Sequence, residues 1–246
     1  MNYLVMTAKH HEGFALFHSK VDAYNSYDAS PCKRDFIKEL SDACAKYDMR
    51  FGIYYSQEID WHELDGGAYG DFEKNVGGMS WTNDWDFEEK DKNYERVFRK
   101  KILPQVEELM TNYGKISLVW FDTPFIITKE QSMELFNTVK RLQPECMINS
   151  RIGNGVGDYI SLGDNEVPDE NVHEKKVEAV ITLNDTWGFK AYDQNWKSAE
   201  KVEALHKKLN ALNINMLLNI GPDALGRFPS ASVKILKDLT KYREER

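Results

Sequence analysis

The chain has 246 residues, a formal net charge of -8 and 41% hydrophobic residues, enough for one large core. Its acidic balance argues against a polyanionic partner such as nucleic acid, and without an 18-residue apolar stretch no membrane helix is expected. Cys32, Cys44 and Cys146 are too few and scattered for a disulfide framework or a zinc site, and read as small core residues.

In chain order, the run Tyr3 to Lys9 is apolar and ends in His10-His11, which reads as a buried strand with polar groups at its mouth. Arg34 to Lys46 carries apolar residues at helical spacing, and Arg50 to Ser56 repeats the strand pattern. From Gln57 to Asp91 runs a long segment holding Trp61, Trp81 and Trp85, either a substrate lid or a loop anchored on aromatics. Tyr94 to Asn112 reads as a helix that Pro104 kinks or restarts. Ile116 to Asp122 is the clearest strand, apolar and aromatic up to a final acid. Met133 to Leu142 is helical, Cys146 to Arg151 is a strand ending in Arg151, and Asp158 to Leu162 is a short strand running into Gly163-Asp164-Asn165-Glu166. The charged run Asp169 to Lys176 is a solvated loop. Strands Ala179 to Leu183 and Asn215 to Ile220 flank the helix Ala199 to Leu212, and Ser230 caps a last helix, Ala231 to Tyr242.

Alternating strands and helices predict βα units on a parallel sheet. Seven strands are visible where a closed barrel needs eight, so the expected fold is an incomplete (β/α)8 TIM-like barrel. It forms one catalytic domain over residues 1–246, with short or missing helices late in the barrel. Because Tyr3 opens the first strand, either the barrel is open or the chain is the N-terminally shortened piece of a longer one.

In such folds catalytic groups stand at the carboxyl ends of the strands. Asp122 is therefore a candidate catalytic carboxylate, the alternative being a helix cap or turn aspartate. Glycoside hydrolysis with retention needs a nucleophilic carboxylate and a second carboxyl as proton donor. Glu166 suits the second role; Asp164 competes, and so does Glu178, although its place before the run Ala179 to Leu183 points to the opposite end of the strands. His10 and His11 suit neutral-sugar recognition, with structural and metal-binding roles as the alternatives; no third His or Cys stands at ligand spacing. Asn184-Asp185-Thr186 matches a glycosylation sequon but falls at a strand end, where a structural role fits better.

The segments Tyr3-Leu-Val-Met-Thr-Ala-Lys-His-His-Glu-Gly-Phe14, Phe51-Gly-Ile-Tyr-Tyr-Ser56, Val119-Trp-Phe-Asp122, Asn184-Asp-Thr-Trp-Gly-Phe189 and Leu217-Leu-Asn-Ile-Gly-Pro222 resemble, in order, the motif series of α-L-fucosidases of glycoside hydrolase family 29. The resemblance implies a (β/α)8-like barrel hydrolysing terminal α-L-fucose from fucosylated glycans, with retention and without metal or organic cofactor. It puts the nucleophile on Asp122, the acid/base on Glu166 (or Glu178), and sugar contacts on His10, His11, Tyr54 or Tyr55, Trp120 and Arg151. Thr123 stands where the family usually has Gly, and the family's first strand, with its His-Trp-Gly motif, and its following β-sandwich lie outside the sequence. Two other readings are a retaining glycosidase for another sugar and a catalytically silent sugar-binding fragment. A homo-oligomer is compatible with the sequence, no membrane partner is expected, and the compartment is left open, the resemblance implying a secreted, periplasmic or lysosomal parent protein.

Overall fold

The computed structural model describes residues 1–67, 75–76, 79–88, 90, 92–171 and 174–244. The chain divides into two compact units, Met1–Asp158 and Tyr159–Arg246.

The first unit is built on a parallel sheet. Its strands are β1 (Tyr3–Lys9) and β2 (Arg50–Ser56), with helix α1 (Phe36–Lys46) between them in the chain. A short antiparallel pair, β3 (Asn75–Val76) and β4 (Met79–Ser80), follows within the long segment. Then come α2 (Tyr94–Val97), α3 (Leu103–Asn112), β5 (Leu118–Asp122), α4 (Lys129–Leu142) and β6 (Met147–Ile148). The sheet order is β1-β2-β5-β6, every pair parallel. Local signals explain the helix starts. The Asp35 side chain accepts the amide of Lys38 at the head of α1. Thr128 and Gln131 form a reciprocal capping box on α4. As expected from the sequence, Pro104 marks a restart: it stands in the first turn of α3, just after a π-helical turn, Phe98–Ile102, that joins α2 to α3. The core between sheet and helices includes Phe17, Ile53, Phe98, Leu109, Phe121 and Leu135, each essentially inaccessible.

The second unit holds a three-stranded parallel sheet, order β7-β8-β9, from β7 (Ile160–Ser161), β8 (Val177–Thr182) and β9 (Ile214–Asn219). Helix α5 (Ala199–Ala211) is capped by the Ser198 side chain, which accepts the amide of Lys201. Helix α6 (Ser230–Glu244) begins at Ser230 itself, so Ser230 is its first helical residue and not the cap expected from the sequence. All six residues of β8 are buried, as a central parallel strand requires.

All seven strands read from the sequence are present. Cys44 and Cys146 are buried as expected, but Cys32 is exposed, because it lies in the loop before α1. Part of the aromatic segment (residues 68–74, 77–78, 89 and 91) and residues 172–173 of the charged run lie outside the described residues. No helix is long and apolar enough to cross a membrane among the described residues.

Candidate active site

The parity of β2 and β5 decides what faces the mouth of the first sheet. Tyr54 lies opposite Trp120, and Ser56 opposite Asp122. Side chains alternate along a strand, so these four residues share one face, while Tyr55 and Phe121 share the other. The Tyr54 hydroxyl donates to Asp122 Oδ2 at 2.8 Å. Tyr55 is fully buried on the opposite face, its ring against Phe121 and its hydroxyl donating to Gln105 Oε1 at 2.7 Å. Of the two tyrosines offered by the sequence, the structure thus brings only Tyr54 to the site, and the expectation for Tyr55 is corrected.

Asp122 is engaged on both oxygens. Arg151 donates through Nη1 to Oδ1 at 3.1 Å, opposite the bond from Tyr54. Arg151 reaches there because a single 3-10 turn, Ser150–Ile152, follows β6 and is closed by Gly153 at φ 98°, a left-handed value that favours glycine. The guanidinium lies 4.7 Å from the centre of the Trp120 ring. Trp120 in turn stacks on Tyr54 at 5.6 Å, and Tyr54 stacks on His10 at 5.2 Å. His10, Tyr54, Trp120 and Arg151 make one continuous layer beside the carboxylate.

The histidine pair works because β1 ends at Lys9. A register shift between Thr7 and Lys9 and a turn closed by the Gly13 amide on the His10 carbonyl bring both rings to one side, their centres 4.1 Å apart. Gly13 is required there: its φ is 84°, and a Cβ would fall 2.1 Å from an Asp60 carboxyl oxygen. His11 is buried, its Nδ1 2.8 Å from Ser56 Oγ and its ring edge-on to Trp61 and Trp81. Burial, together with the neighbouring His10 and Lys9, pushes the His11 imidazole down to about 2, so it is neutral. Burial also lowers His10, helped by Lys9 and opposed by Glu12 and Asp122. Among the described residues no group of three or more His, Cys, Asp or Glu is placed to hold a metal ion.

Several supporting residues escaped the sequence reading. Lys9, Asp60 and Lys101 form a buried charge cluster, with Asp60 Oδ2 3.2 Å from Lys9 and 2.9 Å from Lys101. Burial opposes the Asp60 charge, but the two ammonium groups outweigh it and hold its carboxyl low. Asn149 brackets Phe121 by accepting its amide and donating to its carbonyl, both at 2.9 Å. Gln57 and Glu58, just beyond β2, tie down the neighbouring loops. Apart from Lys101, which lies in the helical turn before α3, the sequence signal for these groups was a polar run at the end of an apolar strand. Thr123, next to Asp122, has φ 58° and is buried, with Oγ1 donating back to the Asp122 carbonyl at 2.7 Å. The left-handed backbone explains why glycine suits this position.

In the second unit, Glu166 is exposed, and its Oε2 accepts the Gly163 amide at 2.7 Å, closing its own turn. Asp164 is exposed in the same turn. Asn165, between them at φ 55°, is pinned to β8: its Oδ1 accepts the Thr182 amide and hydroxyl at 2.9 and 3.0 Å. Glu178 is buried as the second residue of β8, with Asn215 Nδ2 at 2.8 Å and the Tyr159 hydroxyl at 3.4 Å. Its place early in the strand sets it toward the end opposite the strand's mouth. Asn184 is buried and its carbonyl accepts the Thr182 hydroxyl.

These features define a parallel α/β protein with a carboxylate-centred, aromatic-walled site at its strand ends. The alpha-L-fucosidase family model matches residues 1–245, and the chain belongs to that family. It is 30% identical to a putative alpha-L-fucosidase of Caenorhabditis elegans, covering 98% of this chain and 48% of the relative. It is 28% identical to the plasma alpha-L-fucosidase of Homo sapiens, covering 89% and 45%. The chain thus spans about half the length of the curated relatives it matches. Among solved structures, the alpha-L-fucosidase AlfC of Lactobacillus casei in complex with α-L-fucose product superposes with a TM-score of 0.94 at 48% identity, covering 100% of this chain and 76% of that one. Isoenzyme 1 of Paenibacillus thiaminolyticus gives 0.87 at 34% identity, with 99% and 60% covered. The fold class is therefore α/β with parallel strands, of the incomplete barrel-like kind.

Proposed function

We propose that the chain is the catalytic domain of a retaining exo-α-L-fucosidase, with Asp122 as nucleophile. The observation that carries this reading is the setting of Asp122: it ends β5, Tyr54 and Arg151 each hold one of its oxygens, and the His10–Tyr54–Trp120–Arg151 layer flanks it. Two donors aim a carboxylate, as attack on an anomeric carbon requires. In the first step Asp122 forms a bond to C1 of fucose while the glycosidic bond breaks and an acid protonates the departing oxygen. In the second, water deprotonated by the same residue displaces Asp122, and the product keeps its anomeric configuration. His10 and His11 serve as hydrogen-bonding partners for the sugar hydroxyls, a role that a neutral His11 can play as donor or acceptor.

The proton donor is assigned to the turn Gly163–Glu166, which offers Asp164 and Glu166. Glu166 carries the family resemblance, but its carboxyl is committed to the Gly163 amide and must leave it to act. Asp164, exposed in the same turn beside Asn165, is taken first, with Glu166 as the alternative. The AlfC comparison supports the choice of Asp122 and of this turn. AlfC is described in complex with Fucα(1,6)GlcNAc as an Asp-to-Ala variant, and as a fucosyltransferase mutant with an Asn-to-Ala change. Those two positions stand as far apart in AlfC as Asp122 and Asn165 do here.

The test is hydrolysis of 4-nitrophenyl α-L-fucoside followed by NMR. Release of the α-anomer first supports retention. Asp122→Gly should lose turnover by several orders of magnitude and regain part of it with azide or formate, through a fucosyl product of inverted configuration. Wild-type turnover in Asp122→Gly would sink the assignment.

A further inference from the structure

We propose that Glu58 is a positioning residue for Asp122: its buried carboxyl grips three consecutive backbone amides and so fixes the loop on which the nucleophile is mounted. The inference rests on the reading of Asp122 given above.

Glu58 is 1% exposed and lies two residues beyond the end of β2. Its Oε2 accepts the Phe125 and Ile126 amides, each at 2.8 Å, and its Oε1 accepts the Ile126 and Ile127 amides at 3.0 and 2.6 Å. These are the last amides before the Thr128 cap of α4. The loop that carries Asp122 into α4 is thus held at one end by the helix cap and along its length by a single side chain.

The loop needs such a clamp. Thr123 sits at φ 58°, a conformation that costs a β-branched residue energy and persists only where its surroundings over-determine it. Next to Glu58, Gln57 completes the arrangement: its amide nitrogen donates to the carbonyls of Arg151 and Ile152 at 3.1 and 3.3 Å. Two adjacent residues of one strand exit therefore fix the backbones behind both members of the Asp122–Arg151 pair. Burial raises the Glu58 carboxyl to about 8, no ion pair offsets this among the described residues, and the three amides are what favour its charged form.

The test uses the full chain at about pH 9, where the Glu58 carboxyl is charged, and the isosteric Glu58→Gln, which keeps the volume but turns an amide donor toward amide donors. Hydrogen exchange of residues 125–127, followed by mass spectrometry, should accelerate about 10-fold or more while peptides of β2 and β5 stay protected. On 4-nitrophenyl α-L-fucoside, kcat should fall about 10- to 100-fold with KM nearly unchanged, as expected when a reacting group is misplaced and the sugar contacts are intact. Glu58→Asp, one methylene shorter but still an acceptor on both oxygens, should recover part of that loss. It also carries the test if the Gln variant does not fold. Unchanged exchange at 125–127 overturns the proposal. So does a lowered melting temperature with unchanged kcat, which would make Glu58 merely structural. Asp122→Gly run alongside separates the two readings. Turnover surviving that substitution, or absent from the wild type, removes the nucleophile assignment, and the exchange measurement then decides on the Glu58 grip by itself.

Discussion

Tyr54 and Tyr55 are chain neighbours with opposite fates: one donates to Asp122 at 2.8 Å, the other to Gln105 at 2.7 Å on the far side of the sheet. The pleat alone separates them, since successive side chains leave opposite faces. Tyr54 stands at the mouth beside Asp122, and the helix α3 that carries Gln105 meets Tyr55.

This contrast predicts a split between activity and stability. Tyr54→Phe removes one hydrogen bond to a charged group, about 1.5–3 kcal/mol, and should lower kcat/KM about 10- to 100-fold with little change in melting temperature. Tyr55→Phe leaves the Gln105 carbonyl without its donor and should cost about 1–3 kcal/mol of stability while sparing kcat/KM. Fucoside kinetics and urea unfolding on both variants check this. Equal kinetic losses would mean that strand parity does not decide the site.

Thr123 offers a test of backbone strain. Thr123→Gly removes the left-handed penalty of about 1–2 kcal/mol at the cost of about 0.5–1 kcal/mol of chain entropy. Its urea midpoint should match or exceed that of the wild type. Thr123→Val keeps the branch, loses the hydroxyl bond to the Asp122 carbonyl, and should unfold earlier. A Gly variant less stable than the Val variant contradicts the strain reading.

Two buried groups give opposite slopes of stability with pH. The folded Glu58 carboxyl lies near 8, above its ordinary 4.5. Its contribution is therefore full below about pH 4.5 and is lost as pH rises toward about 8, which amounts to a few kcal/mol over the window. Glu58→Gln should flatten the stability profile between about pH 5 and 8. The folded His11 imidazole lies near 2, below its ordinary 6.5, so its contribution is full above about pH 6.5 and is lost as pH falls below it. Urea midpoints across this range, together with imidazole NMR of His11, check both. A His11 ring that titrates between about pH 5 and 8 would refute its neutral role.

The proton donor is settled by three parallel substitutions. Asp164→Ala should cripple fucosides with poor leaving groups, spare the first step with activated aryl fucosides, and respond to azide. Glu166→Ala should loosen the turn at Gly163 and lower turnover less steeply with leaving group. Glu178→Ala should reduce stability, because the Asn215 amide and the buried Tyr159 hydroxyl lose their shared partner. Leaving-group dependence and azide rescue that follow Glu166 or Glu178 would move the assignment to that residue.

The strands, the helix stops and the order of the motifs were legible in the residues alone. Buried parallel strands are long apolar runs, and polar residues that follow them stand at one mouth, so Asp122, His10, His11 and Arg151 announced themselves locally. Glycine at residue 13 and the caps at Asp35, Thr128 and Ser198 are likewise local matters of dihedral angle and orphan amides. What the chain could not declare by itself depends on register and on partners distant in sequence. Tyr54 rather than Tyr55 follows only once β2 is set against β5 with Ser56 opposite Asp122. The buried salt cluster joins Lys9 to residues 51 and 92 positions away. Glu58 is buried only by folding, beneath three amides more than sixty residues further on, and the Glu166 carboxyl finds the Gly163 amide only in the folded turn. Hydrophobic period is written residue by residue, whereas the environment of a charge is set by whatever the rest of the chain packs around it.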